Sequence, residues 1–408
     1  MTEKLNILVI APYAPPKNTA EAIQVWRILK ELDKRAAGRL VKINPNSGSS
    51  WEQYDASLEL NLQHFDTQLL ALPLHRFTSA ILSSHHMARL HVPDSAMWIK
   101  WTANHVVQKL RMKPDVIYSR SSPMSAALLS ARLKEKLGVP WVMHLSDPWA
   151  DSLYKKFHPR DAAYEAECFA KADLTALTTE GQAEYYRKKY PACAQKIFVS
   201  PNVMPERIER APDLALDGKL HIVFAGRLYG SRSPKPLIEA LNILRATRPE
   251  ILTKLRIDFY GNAQAEALEL LHRAPDVLHY HGHVSFAEAN AAQHAADLVL
   301  AIEPDSQHPL IKGTLLSKIT DCMAQGQRML AITPEGSETE RICKQGYGWA
   351  VRPSDPQALS ERLVELVSGV FQLRYATPKQ PEQAYAVAPV VDDLLLHMRD
   401  LVTKAHAA

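Results

Sequence analysis

Along most of the chain, short apolar runs alternate with stretches whose apolar residues recur every three or four positions. Leu5–Ile10 is almost wholly apolar and stops at Ala11-Pro-Tyr-Ala-Pro-Pro16. A strand halted by prolines and followed by a helix is how a parallel α/β sheet begins. That helix carries Ile23, Trp26, Leu29 and Leu32 on one face, and Asn18 with Glu21 three residues on has capping-box spacing. Residues 40–112 are less regular. Lys42–Asn61 carries loop signals, Phe65–Leu72 fits a strand and its exit, and His75–Met112 mixes His, Met and Arg into helical spacing. Order returns with a strand at Pro114–Ser119, a loop at Arg120–Ser125 and an Ala/Leu-rich helix to Lys136. Gly138–His144 is the next strand and runs into Leu145-Ser-Asp-Pro-Trp149. Asp173–Thr179 and Lys196–Ser200 follow as strands, with a helix over Glu180–Lys189 between them.

Met204–Lys219 is rich in Pro, Arg, Glu and Asp, has no period, and reads as a linker. Leu220–Gly226 then opens a second α/β series, with strands at Leu255–Tyr260, Val277–His281, Leu298–Ile302 and Met329–Thr333. The fold class is therefore α/β: two Rossmann-like doubly wound domains facing each other across a cleft. The first spans 1–204 and the second 205–382. The closing segment 383–408 holds an amphipathic stretch (Val390, Leu394, Leu395, Met398, Leu401) expected to cross back to the first domain as a helix.

Composition narrows this without redirecting it. A chain of 408 residues, 46% hydrophobic and 23% charged, has the make-up of a globular protein of about two domains. A net charge of +4 suits phosphorylated ligands or weak attraction to an anionic membrane and is too small to argue for nucleic acid. Four cysteines without CxxC spacing imply neither a disulfide framework nor a zinc site, which fits a reducing cytoplasm. The chain runs into a strand with no secretory signal, and no apolar run is long enough to span a bilayer.

Open α/β sheets bind ligands at the carboxyl ends of their strands. In the first half this edge collects Tyr13, Lys17 and Asn18, then Ser121 and Ser122, then Asp147 and Trp149. In the second half the candidate is Lys312–Gly326, read as one helix with Leu316, Ile319 and Met323 as its apolar stripe. Ser317, Lys318 and Asp321 share a neighbouring face. Gly313 and Thr314 would leave amide N–H groups free at its start, a good seat for a diphosphate. An ordinary amphipathic helix accounts for the same residues as well. His279, His281 and His283 alternate along a strand, but no flanking carboxylate or cysteine completes a metal site.

The chain resembles the GT-B fold glycosyltransferases, and among them the family 4 group of bacterial surface-polysaccharide enzymes. The resemblance rests on Ala11–Pro16, Pro114–Ser119, His144–Trp149, Pro201-Asn202, Phe224-Ala-Gly-Arg-Leu-Tyr229, Gly313–Gly326 and Thr333–Glu338, in the expected order over nearly the whole chain. It implies transfer of a sugar from a nucleotide-activated donor, held mainly by the second domain. By resemblance, Arg227 and Arg232 stand for the family's diphosphate-binding pair, usually Arg then Lys. Asp321 falls on the second glutamate of a Glu-x7-Glu motif, read in the family as a ribose contact, while Gly313 replaces the first. A Gly-Thr-Leu-x-Ser-Lys variant is familiar in the polysaccharide subgroup and makes Ser317 and Lys318 diphosphate contacts. Gly226, Tyr229, Tyr260, Gly261, Asn262, His283, Gly313, Thr314 and Leu315 join Tyr13 as donor-side candidates, and the nucleobase stays open.

A departing diphosphate needs its charge stabilised by a metal or by fixed cations. With no Asp-x-Asp pair at a strand end, no metal or other cofactor is expected, and Arg227, Arg232 and Lys318 take that part. For an inverting reaction Asp147 is the preferred base, ahead of His144. For the retaining outcome usual in the family, Asp147 would position the acceptor. The acceptor is expected to be a saccharide or lipid-linked, with Lys17, Asn18, Ser121, Ser122 and Trp149 nearby. The basic, Trp-containing segment Met97–Lys113 would suit the inner-membrane face. Two other readings stay open: a sugar-nucleotide 2-epimerase of the same fold, and a non-catalytic partner subunit of a transferase.

Overall fold

The structure is a computed structural model. It describes residues 4–44, 55, 57–71, 94, 96–152, 158–206, 218–370, 373 and 382–407. The expected helical stretch 75–93, most of the loop 42–61 and the linker core 207–217 lie outside them. The chain divides into one unit of Met1–Val203 with Ala384–Ala408 and another of Met204–Gln383.

The first unit is a seven-stranded sheet in the order β3-β2-β1-β4-β5-β6-β7. Its strands are β1 Asn6–Ile10, β2 Ala37–Ile43, β3 Phe65–Leu70, β4 Val116–Ser121, β5 Trp141–Leu145, β6 Leu174–Leu177 and β7 Ile197–Val199. All pairs are parallel, so every strand ends on the same edge. The core packs Ile7, Val9, Ile28, Leu32, Val116 and Val142 together with Val391, Leu394 and Met398 of the last helix, Val387–Ala407. That helix therefore belongs to the first unit, 180 residues of chain after β7's neighbourhood has closed.

The second unit is a six-stranded parallel sheet, β10-β9-β8-β11-β12-β13. Its strands are β8 Leu220–Ala225, β9 Leu255–Tyr260, β10 Leu278–Gly282, β11 Leu298–Ile302, β12 Arg328–Ile332 and β13 Gly348–Val351. The sequence pattern missed β2 and β13, whose residues alternate too weakly to announce a strand.

Three expectations change. The first helix, Ala20–Arg35, is capped by Thr19, which accepts from the Ala22 amide; Asn18 instead donates to Asp55. β4 runs on through Arg120 and Ser121, so these are strand and not loop. Lys312–Gly326 is not one helix: Pro309–Lys312 is a single turn, residues 313–316 break, and a new helix runs Ser317–Ala324. Gly326 does take the left-handed conformation that ends it, at φ 61°.

Candidate active site

In the second unit the strand ends are held together main chain to main chain. Gly226, just past β8, donates to the Tyr260 carbonyl at 2.8 Å, and Gly261, just past β9, donates to Gly282 at 2.6 Å. A Cβ on Gly261 would stand 2.1 Å from the Gly226 carbonyl oxygen, and its φ is 114°, so only glycine fits there. The loop that follows is tied to the next one: Leu228 donates to Asn262 and Gln264 donates back to Leu228. This fixes Arg227, exposed at the edge, and Arg232, whose guanidinium lies 5.2 Å from the Tyr229 ring centre.

Lys318 reaches the same place from the first turn of Ser317–Ala324. Part of its stem is at the surface, but its ammonium nitrogen is buried and has no hydrogen-bond acceptor among the described residues. It sits 3.7 Å above the Phe224 ring and 3.1 Å from where a Gly226 Cβ would be. Burial, with Arg232 adding to it, holds the Lys318 ammonium well below the usual lysine range, while Glu303 acts to restore it. Glu303 follows β11 and is buried. Its carboxylate accepts from the hydroxyls of Thr333 and Thr339, and Thr333 also meets Ser337 at 2.7 Å. Burial raises the Glu303 carboxyl, against the pull of those two hydroxyls and of Arg232 and Lys318.

The Gly313 turn is not the open amide nest the sequence promises. Gly313 donates to Pro309, Thr314 donates to Ile311, and the Thr314 hydroxyl is spent on Leu310. Leu315 is buried, and Asp321, 7% exposed, lies one turn beyond Lys318. Tyr260 stacks on His281 at 4.4 Å, and His281 meets Asp258 at 2.6 Å; Asn262 and His283 are exposed. Among the described residues no group of three or more His, Cys, Asp or Glu is arranged to hold a metal.

The first unit's edge is built differently. Arg120, 1% exposed, makes a two-pronged pair with Glu21 at 2.9 and 3.0 Å, reaches Ser146 at 2.9 Å, and lies against both ring nitrogens of His144. His144 is wholly buried and also meets the Tyr118 hydroxyl. Burial, with the Arg120 charge, pushes it well below the ordinary histidine range, so it is a structural neutral ring and not a base open to a substrate. Trp149 is likewise core: its indole donates to Asp161 at 2.9 Å and its amide to the Tyr186 hydroxyl. It offers no face to an acceptor. Ser121 is buried, Ser122 half-buried, and Tyr13 carries the Lys17 ammonium 4.0 Å from its ring centre. Burial brings Lys17 down to about 7. Asp147 alone of the β5 loop residues 146–150 is exposed.

Residues 59–203 match the model of the glycosyl transferase 4-like domain. Over 97% of its length the chain follows HepE of Anabaena, solved with UDP and glucose, covering all of that chain at TM-score 0.65 and 15% identity. The chain has the GT-B fold. Among curated proteins it is 23% identical over 272 residues to the probable glycosyltransferase WbjE of Pseudomonas aeruginosa, a match covering 62% of this chain and 66% of that one. It is 28% identical over 154 residues to the D-inositol 3-phosphate glycosyltransferase of Stackebrandtia nassauensis, covering 36% and 32%. The matches therefore span about two thirds and one third of these relatives.

On this GT-B frame, the structure brings Gly226, Arg232 and Lys318 together at one sheet edge, with Arg227 and Tyr229 in the adjoining loop. Gly261 and Tyr260 lie at the next strand end. Glu303 went unread in the sequence, because Glu-Pro-Asp after a strand looks like any polar turn. Its partners Thr333 and Thr339 are 30 and 36 residues away. Arg120 was passed over for the same kind of reason.

Proposed function

We propose that the chain is a glycosyltransferase that takes a sugar from a nucleotide-activated donor. The observation that carries this is the Lys318 ammonium, buried beside Arg232 with no acceptor of its own among the described residues. The Lys318 cation, held out of water at a glycine-lined strand end, is poorly stabilised until an anion arrives, and a diphosphate there would also meet the neighbouring Arg232. The solved relative bound to UDP supports a nucleoside diphosphate as that anion. Fixed positive charge would then stabilise the leaving group without a metal. In the first unit, exposed Asp147 is the group offered to the acceptor: it positions the hydroxyl if configuration is retained, which the resemblance favours, or removes its proton if not. A saccharide or lipid-linked acceptor of a bacterial surface polysaccharide, met at the cytoplasmic face of the membrane, is what the family resemblance implies, and the likeness to WbjE, a probable glycosyltransferase, fits the transfer itself. Among the described residues no helix is long and apolar enough to cross a membrane.

A thermal-shift screen over UDP, GDP, ADP, CMP and TDP identifies the base. With the matching donor, Lys318→Ala and Arg232→Ala each lose about 100-fold or more in turnover, as for removal of one preorganised charge-stabilising group, with melting temperatures close to wild type. Unaltered rates in both would defeat the reading. Donor alone yielding an altered hexose in place of released nucleoside diphosphate would favour an epimerase.

A further inference from the structure

The buried Lys318 ammonium loses hydration and is repelled by the Arg232 cation beside it. Arg232 depresses Lys318, and burial depresses it further. The arrangement needs a counter-charge when no ligand is present, and the described residues supply one. Glu303 is 4% exposed and directly follows β11, which pairs with β8, the strand whose Phe224 ring lies 3.7 Å under the Lys318 ammonium, and its charge acts on both Arg232 and Lys318. Each of its oxygens accepts a hydroxyl hydrogen, from Thr333 and from Thr339, and its own amide is locked to the Ile332 carbonyl. Hydrogen bonds to a carboxylate favour its charged form. A buried carboxylate fixed this tightly cannot swing out to meet a substrate, so its part is played through its neighbours.

We propose that Glu303 is a positioning residue: its carboxylate is the resident counter-charge that keeps the Lys318 cation charged and holds it beside Arg232 at the diphosphate seat. The proposal rests on the donor-binding role given above to Lys318. Other groups stand near the cluster among the described residues. Lys318 lies over the apolar Phe224 ring, with Asp321 one turn along its own helix. Glu303 is also faced by Cys343, whose thiol burial pushes up to about 12, so it brings no charge at neutral pH. Glu303 is a carboxylate whose charge acts on both Lys318 and Arg232.

The role has a sign that a packing role lacks. Without the carboxylate, Lys318 gives up its proton more readily, so donor binding should fail as pH rises and return as pH falls. The probe is whichever of UDP, GDP, ADP and TDP shifts the wild-type melting temperature most, and binding is measured by calorimetry at pH 6 and pH 8. Taking variant over wild type at each pH cancels the ligand's own titration. Glu303→Gln, nearly isosteric, is expected to bind tenfold or more weaker than wild type at pH 8 and within about twofold at pH 6. Thr339→Val keeps the carboxyl and removes one donor that holds its charge; it is expected to move the same way by about threefold, and it carries the test if Glu303→Gln fails to fold. Equal weakening at both pH values, or wild-type binding by both variants, overturns the Glu303 role. Lys318→Met separates the two claims. If it binds as wild type, the diphosphate reading falls; if it is weak at both pH values while Glu303→Gln is normal, only the Glu303 role falls. A wild type that binds none of the four overturns both.

Discussion

The two sheets share a design, yet their ligand-side edges handle charge in opposite ways. At the first, the buried Arg120 is matched at once by a two-pronged carboxylate and a hydroxyl. At the second, Lys318 is buried beside another cation, with a carboxylate near enough to act on it and none in hydrogen-bonding contact. A charge satisfied from within shapes the protein; a charge left short of partners awaits something from outside. The first edge therefore spends its polar groups on fixing the β5 loop, beside exposed Asp147, and the second leaves the Lys318 ammonium without an acceptor among the described residues.

The sharpest way to break this contrast is Asp147→Asn. It should lower turnover by about 100- to 10,000-fold, the range for loss of a positioned acid–base group, while nucleoside diphosphate affinity, followed by calorimetry, stays put. A comparable loss of affinity would erase the division of labour. Next comes the matched pair. Glu21→Gln leaves Arg120 buried without its counter-charge and should cost about 3–5 kcal/mol in denaturant unfolding, whereas Lys318→Met, which removes a buried cation, should not destabilise. Gly261→Ala drives a Cβ toward the Gly226 carbonyl. It should cost about 1–3 kcal/mol as backbone strain and weaken donor binding, with the first unit's melting untouched. An effect readable only by its pH dependence concerns Lys17, 2% exposed. Its folded value of about 7 lies below the free-lysine value of 10.5, so the unfolded chain binds the extra proton between them. Stability should then rise with pH from about 7 to 10.5 and flatten below 7. Lys17→Met should raise the melting temperature at pH 7 and lose that advantage near pH 10.

The run of strands and helices was legible because burial on both faces of a parallel sheet writes itself as continuous apolar runs. The glycines of Gly226 and Gly261 and the basic Arg227, Arg232 and Lys318 were legible as types. Long-range pairing was not. Arg120 looked like loop because a charge in a strand is intelligible only once Glu21, 99 residues away, is placed against it. Trp149 looked like a platform because nothing local reveals that Asp161 and Tyr186 bury it. His144, read as a base, had no visible sign of the arginine lying on its ring. The break at residues 313–316 was hidden since Leu315 and Leu316 continue the apolar spacing that the helix begins.

The last helix has a bearing on how the chain is made. Val391, Leu394 and Met398 complete a core begun by Ile7 and Val9, so the part of the molecule synthesised first is finished last. Met204–Gln383 is a compact unit by itself and can close while Val387–Ala407 is still in the ribosome. The earlier part must wait, with an apolar face uncovered, until the final turns emerge. A nonsense codon shortly before Val387 would thus spare the middle of the protein and leave its beginning unable to settle.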